Sequence, residues 1–208
     1  MRVVVAAVLA LGLALAPWVA TPAFAGPALD QLKMQIDRVL KVLENPEMKR
    51  ESNGLARRAA VRKVADDIFD FEETAKRSLA RHWQPRTPSE RDEFVKLFAD
   101  ILERSYISKI ELYGGEKIVY VSDTMDGDVS NVKTKIITKG GTEVPVEYRM
   151  ARRGERWLVY DVIIEGVSLV ANYRSQFNKI IQTSSYAELV KKMKVKQDEF
   201  IEAASKKS

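Results

Sequence analysis

Asp161 has the setting that most invites chemistry. It stands between Tyr160 and Val162 in a run, Trp157 to Ile164, that is otherwise apolar. A carboxylate buried in such a strand must find a donor. It then serves either as a base of raised pKa facing a hydrophobic substrate, or as a structural acceptor for backbone or arginine donors at the sheet edge. We assign it the structural role. His82 is the one histidine of the chain, beside Trp83 and without a neighbouring carboxylate pair, and reads as a surface or capping residue. Asp123, Asp126 and Asp128 surround Gly127 but lack the closing glutamate of a calcium loop, so they read as a polar hairpin. The pair Asp66-Asp67 adds no metal signature. With no cysteine, a disulfide framework, a thiolate zinc site and a thiol nucleophile are excluded. We therefore expect no catalytic residue, no metal ligand and no cofactor.

The remaining candidates are apolar, and the elements that carry them can be read from periodicity. Leu29, Leu32, Ile36, Val39 and Leu43 form one stripe of a first helix, ended at Asn45-Pro46. Asn53-Gly54 opens a second helix with Val61, Val64, Ala65 and Ile68 on one face. Asp70 and Glu73 have capping-box spacing for a third, from Phe71 to about Trp83. Thr87, Pro88 and Glu90 start a fourth, which runs to Gly114-Gly115, about 25 residues or nearly 40 Å. The period then falls to two. Lys117 to Ser122, Val129 to Thr138, Val144 to Ala151 and Trp157 to Ile164 read as four consecutive strands, hence an antiparallel meander packed on one side only. Glu165-Gly166 ends the sheet, and two more helices follow, the last opened by Ser185 and Glu188 and ending in Lys206-Lys207. Helices, sheet and helices again make an α+β domain.

On this framework, Phe94, Phe98, Ile101, Leu102, Tyr106 and Ile110 line the long helix. Val144, Val146, Tyr148 and Met150 share one face of the third strand. Val167, Val170, Tyr173 and Phe177 follow the sheet. Stripes like these form either a filled core or the wall of a cavity for an apolar ligand. The 34 Lys+Arg against 29 Asp+Glu give a basic surplus spread over Arg57-Arg58, Arg149 to Arg156 and Lys191 to Lys196. No aromatic platforms interleave with it, so nucleic acid is not an expected partner. It reads as a solvated face, or one attracted to anionic head groups or an acidic partner. Residues 1–25 have the parts of a secretory leader: Arg2, the apolar run Val3 to Ala16 closed by Pro17, and Ala23-Phe24-Ala25 before Gly26. The apolar run is too short to span a bilayer. We expect cleavage there and a soluble, monomeric, periplasmic domain over residues 26–208.

Two segments are distinctive beyond their periodicity. Thr87-Pro88 with Glu90 and Phe94 opens the helical segment within Trp83 to Tyr113, and Trp157, Tyr160, Asp161, Glu165, Gly166, Val167 and Ser168 form the run W-x-x-Y-D, three apolar residues, E-G-V-S. Together with the order of leader, helices, sheet and helices, they resemble the MlaC family of periplasmic phospholipid-binding proteins, also called toluene-tolerance auxiliary proteins. The resemblance implies an NTF2-like fold, with helices on one face of a curved four-stranded antiparallel sheet enclosing an apolar pocket. It implies acyl chains in that pocket, the fourteen residues above as its lipid-binding lining, and phospholipid as cargo. It also implies two partners: an outer-membrane lipoprotein–porin complex and an inner-membrane ABC transporter complex, between which the carrier maintains outer-membrane lipid asymmetry. Three alternatives stay open: a hopanoid or other hydrophobic-ligand carrier of the same family, an NTF2-like isomerase or dehydratase using Asp161, and a purely structural module of the envelope.

Overall fold

The computed structural model describes residues 26–110 and 112–205. The leader read over residues 1–25 and the lysine pair at 206–207 lie outside them. Helix α1 (Pro27–Glu44) begins with proline at its first position, and Gly26 offers no capping side chain. The cap comes instead from the sheet: Asp123 accepts the Leu29 amide at 3.2 Å and the Ser130 hydroxyl. One carboxylate of the expected polar hairpin thus fastens the first helix. A short helix α2 (Pro46–Lys49), capped by Asn45, leads into α3 (Gly54–Ile68). Asp70 caps α4 (Phe71–Leu79) by accepting the Glu73 amide at 2.9 Å. Where the periodicity runs on to Trp83, the helix stops at Leu79. Ala80 takes a positive φ (49°), and one 3₁₀ turn carries Trp83 into the helical core. Helix α5 (Pro88–Ile110) starts with the expected reciprocal box, Glu90 N–H to Thr87 Oγ1 at 3.2 Å and Thr87 N–H to Glu90 Oε2 at 2.8 Å.

The sheet runs in chain order and is antiparallel throughout: β1 (Lys117–Asp126), β2 (Val129–Ile137), β3 (Glu143–Arg153), β4 (Arg156–Ile164) and β5 (Val167–Ser168). Strand β1 passes Ser122 because a bulge between Tyr120 and Ser122 breaks the alternation that sequence reading depends on. The fifth strand is an addition to the expected four. Glu165 and Gly166 both have positive φ, 51° and 81°, and turn the chain back so that Val167 and Ser168 pair with Ile164 and Ile163. Glutamate is not a residue that announces such a turn, which hid the strand. Ser168 then caps α6 (Leu169–Thr183), and Ser185 accepts the Glu188 amide to open α7 (Tyr186–Ser205).

Two cores result. Helices α1 and α3 lie on the sheet and bury Leu29, Leu32 and Val64 against Val132, Met150, Trp157 and Val159. Helices α4 to α7 pack on one another around Leu79, Trp83, Phe94, Phe98, Phe177 and Leu189. The rings of Phe94 and Phe98 meet Phe177 edge-on at 5.5 and 5.2 Å. Between the two cores a space stays open.

Candidate functional site

That space is a cavity of about 690 Å³, within the range of small-molecule sites. Helix α5 forms one wall because its two apolar stripes do different things. Phe94, Leu97 and Ile101 pack into the helical core, while Phe98, Leu102, Tyr106 and Ile110, four residues apart, face the cavity. Phe98 serves both. The opposite wall is the inner face of the sheet: Val144, Val146 and Tyr148 of β3, flanked by Ile118, Ile136, Val162 and Ile164. Val170 of α6 closes one end.

Of the fourteen residues expected to line a pocket, eight therefore do: Phe98, Leu102, Tyr106, Ile110, Val144, Val146, Tyr148 and Val170. The other six lie elsewhere. Phe94, Ile101, Tyr173 and Phe177 belong to the helical core, and Met150 to the core under α1. Val167 points to solvent at 58% exposure, because the β4–β5 turn places it on an edge strand of two residues. The sequence reading missed a third wall, made by Leu32, Ile36, Val39 and Leu43 of α1, Val61, Ala65 and Ile68 of α3, and Phe69 and Phe71 beyond it. Their signal was present as the first two helical stripes, but a stripe does not say whether it faces side chains or space.

The wall is almost wholly hydrocarbon, and its few polar groups show it. Burial pushes the Tyr148 phenol up to about 12 despite a hydrogen bond with Thr134. Burial likewise raises the Tyr106 phenol and the Glu103 carboxyl; at Glu103 the Arg62 guanidinium, 2.8 Å away, works in the opposite direction. Three charged side chains line the cavity, Glu103, Glu116 and Asp161; among the described residues no lysine or arginine does.

Asp161 is 3% exposed and meets three donors. One oxygen accepts the Val170 amide at 3.0 Å, and the other accepts the Ser168 hydroxyl at 2.7 Å and Arg149 at 3.4 Å. The carboxylate thus ties β4 to β5 and to the start of α6, where a bulge in the β3–β4 register admits it. A base needs a lone pair aimed at substrate, whereas both oxygens here hold donors. Asp161→Asn is expected to lower stability by about 2 kcal/mol, since it removes charge-assisted bonds at a buried site. A urea melt checks this, and an unchanged midpoint would remove the structural assignment. His82 Nε2 lies 3.0 Å from Asn178 Oδ1 on α6, which Arg81 also contacts, far from the cavity lining. Among the described residues no three acidic or histidine side chains gather as a metal site.

Known proteins share this architecture. The phospholipid-binding protein from Ralstonia solanacearum, solved in complex with a phospholipid, superposes with a TM-score of 0.72 at 22% identity, covering 84% of this chain and 98% of that one. Two curated relatives are each 25% identical: the intermembrane phospholipid transport system binding protein MlaC of Haemophilus influenzae over 138 residues, and the toluene tolerance protein ttg2D of Pseudomonas putida over 134. These alignments span 62% and 64% of this chain, and 64% and 62% of the relatives' own lengths. The family model for the MlaC protein matches residues 33–195, which include every cavity-lining residue named above except Leu32. The chain belongs to the MlaC family.

Proposed function

We propose that this protein is a non-enzymatic phospholipid carrier. The observation that carries the reading is a large apolar cavity left open between two well-packed cores, in a chain of this family. A diacyl lipid cannot cross water unaided, because each exposed methylene costs about 0.8 kcal/mol. A cavity of almost wholly hydrocarbon walls removes that cost. No helix among the described residues is long and apolar enough to cross a membrane, which fits a carrier that moves between membranes. The reading extends to a leader over residues 1–25 removed on export, and to residues 26–208 acting as a monomeric lipid-binding domain in the periplasm. There it passes cargo between an outer-membrane lipoprotein–porin complex and an inner-membrane ABC transporter complex, with phospholipid as cargo rather than cofactor.

Organic extraction of the purified protein followed by mass spectrometry tests this. Stoichiometric phospholipid is expected. A polycyclic hopanoid in its place would move the assignment to a sister ligand, and an empty cavity after purification and vesicle exposure would end the carrier reading. The enzymatic alternative at Asp161 is disfavoured by the donors that occupy both of its oxygens.

A further inference from the structure

The charged groups of the cavity wall are not equivalent. Glu103 is matched by Arg62, and Asp161 is consumed by the β5–α6 junction. Glu116 stands apart. It follows Leu112, which lines the cavity yet is 81% exposed, so the wall reaches solvent here and this end is the mouth. Its Oε2 accepts the Gly114 amide at 2.8 Å, which fixes the carboxylate at the rim. Lys139, on the β2–β3 hairpin, comes to the same place. A methyl group on Gly114 would lie 3.2 Å from Lys139 Nζ and 3.3 Å from Glu116 Oε1. A cation and an anion therefore flank one position that carries no side chain, at the rim of an apolar cavity.

We propose that Glu116 and Lys139 select an amine-bearing zwitterionic phospholipid headgroup over an anionic one, an inference that rests on the carrier reading. In phosphoethanolamine the phosphate and the ammonium are separated by two methylenes, so Lys139 takes the first and Glu116 the second. A phosphoglycerol headgroup satisfies Lys139 alone and leaves its only charge, the phosphate, beside a carboxylate. The Gly114 amide, followed by other backbone amides and Lys139, holds the Glu116 carboxyl below the usual range, so it is ionised at neutral pH. Since the pair is solvent-facing, the discrimination is modest, about threefold.

The test loads the full chain from vesicles of equimolar phosphatidylethanolamine and phosphatidylglycerol and measures the two bound lipids by mass spectrometry. Their ratio in one preparation is unaffected by a folding defect common to both. The expected ratio is about three to one for the ethanolamine lipid, falling to near one for Glu116→Gln and reversing for Glu116→Lys. A ratio at or below one in the unaltered protein overturns the proposal, as does a Glu116→Gln ratio equal to that of the unaltered protein. Absence of both lipids would overturn the carrier reading itself, and the headgroup inference with it.

Discussion

Removing bound lipid is expected to lower the melting temperature of this protein by about 10 °C, and adding phospholipid back to restore it. A ligand that binds only the folded state at a thousandfold excess over its Kd contributes about 4 kcal/mol, and a chain of this size shifts by about 2–4 °C per kcal/mol. The position of each side chain then decides how its truncation behaves. Leu189 is buried in the helical core, away from the cavity, so Leu189→Ala lowers the loaded and stripped melting temperatures alike. Tyr148 meets the cavity directly, so Tyr148→Ala costs more in the loaded protein and narrows the gap between the two. Leu32, which its stripe marks as ordinary core, is not a suitable control because it too lines the cavity. Scanning calorimetry of the unaltered protein and the two variants, each loaded and stripped, provides the check. Equal loaded and stripped temperatures in the unaltered protein would mean that no ligand holds the cavity open.

Filling the cavity separates space from core more sharply. Ala65 lies on the cavity face of α3, opposite the sheet. In a packed interior, a large residue there strains its neighbours by about 1–3 kcal/mol. Facing an open space of about 690 Å³, an indole finds room and new contacts instead. Ala65→Trp is therefore expected to keep or raise the melting temperature of the stripped protein while cutting lipid loading at least tenfold. Loading assays from labelled vesicles, paired with thermal melts, read both quantities. Strong destabilisation with normal loading would show that α3 seals a filled core and that lipid sits elsewhere.

Most of the framework was legible in the residues because local physics writes it there. Thr87, Pro88 and Glu90 announce α5 whatever lies around them, and the alternation of Val144, Val146 and Tyr148 against Pro145 and Glu147 marks a strand with one apolar face. Other features escaped, beside the early stop of α4 at Leu79. The β1 bulge and the left-handed Glu165 are backbone choices that side-chain pattern does not encode, and β5 follows from the second of them. Asp123 capping α1 joins residues far apart in the chain, and no local window contains both.

By itself, then, the sequence determined the class and order of the elements, the absence of cysteine chemistry, and which residues are apolar enough to leave water. It also bore the motif by which the family is recognised. Only the tertiary structure decided which of those apolar residues touch one another and which face the cavity. On α5 the two stripes are chemically alike, yet Phe94 and Ile101 are packed by α4, α6 and α7 while Leu102 and Ile110 face the sheet across the cavity. Burial from water is set by a residue's own transfer free energy, whereas a cavity depends on how far two packed layers stand apart. Here that distance is held by contacts around the cavity: the aromatic cluster behind α5, the Arg62–Glu103 pair joining α3 to α5, and Asp161 fastening α6 to the sheet.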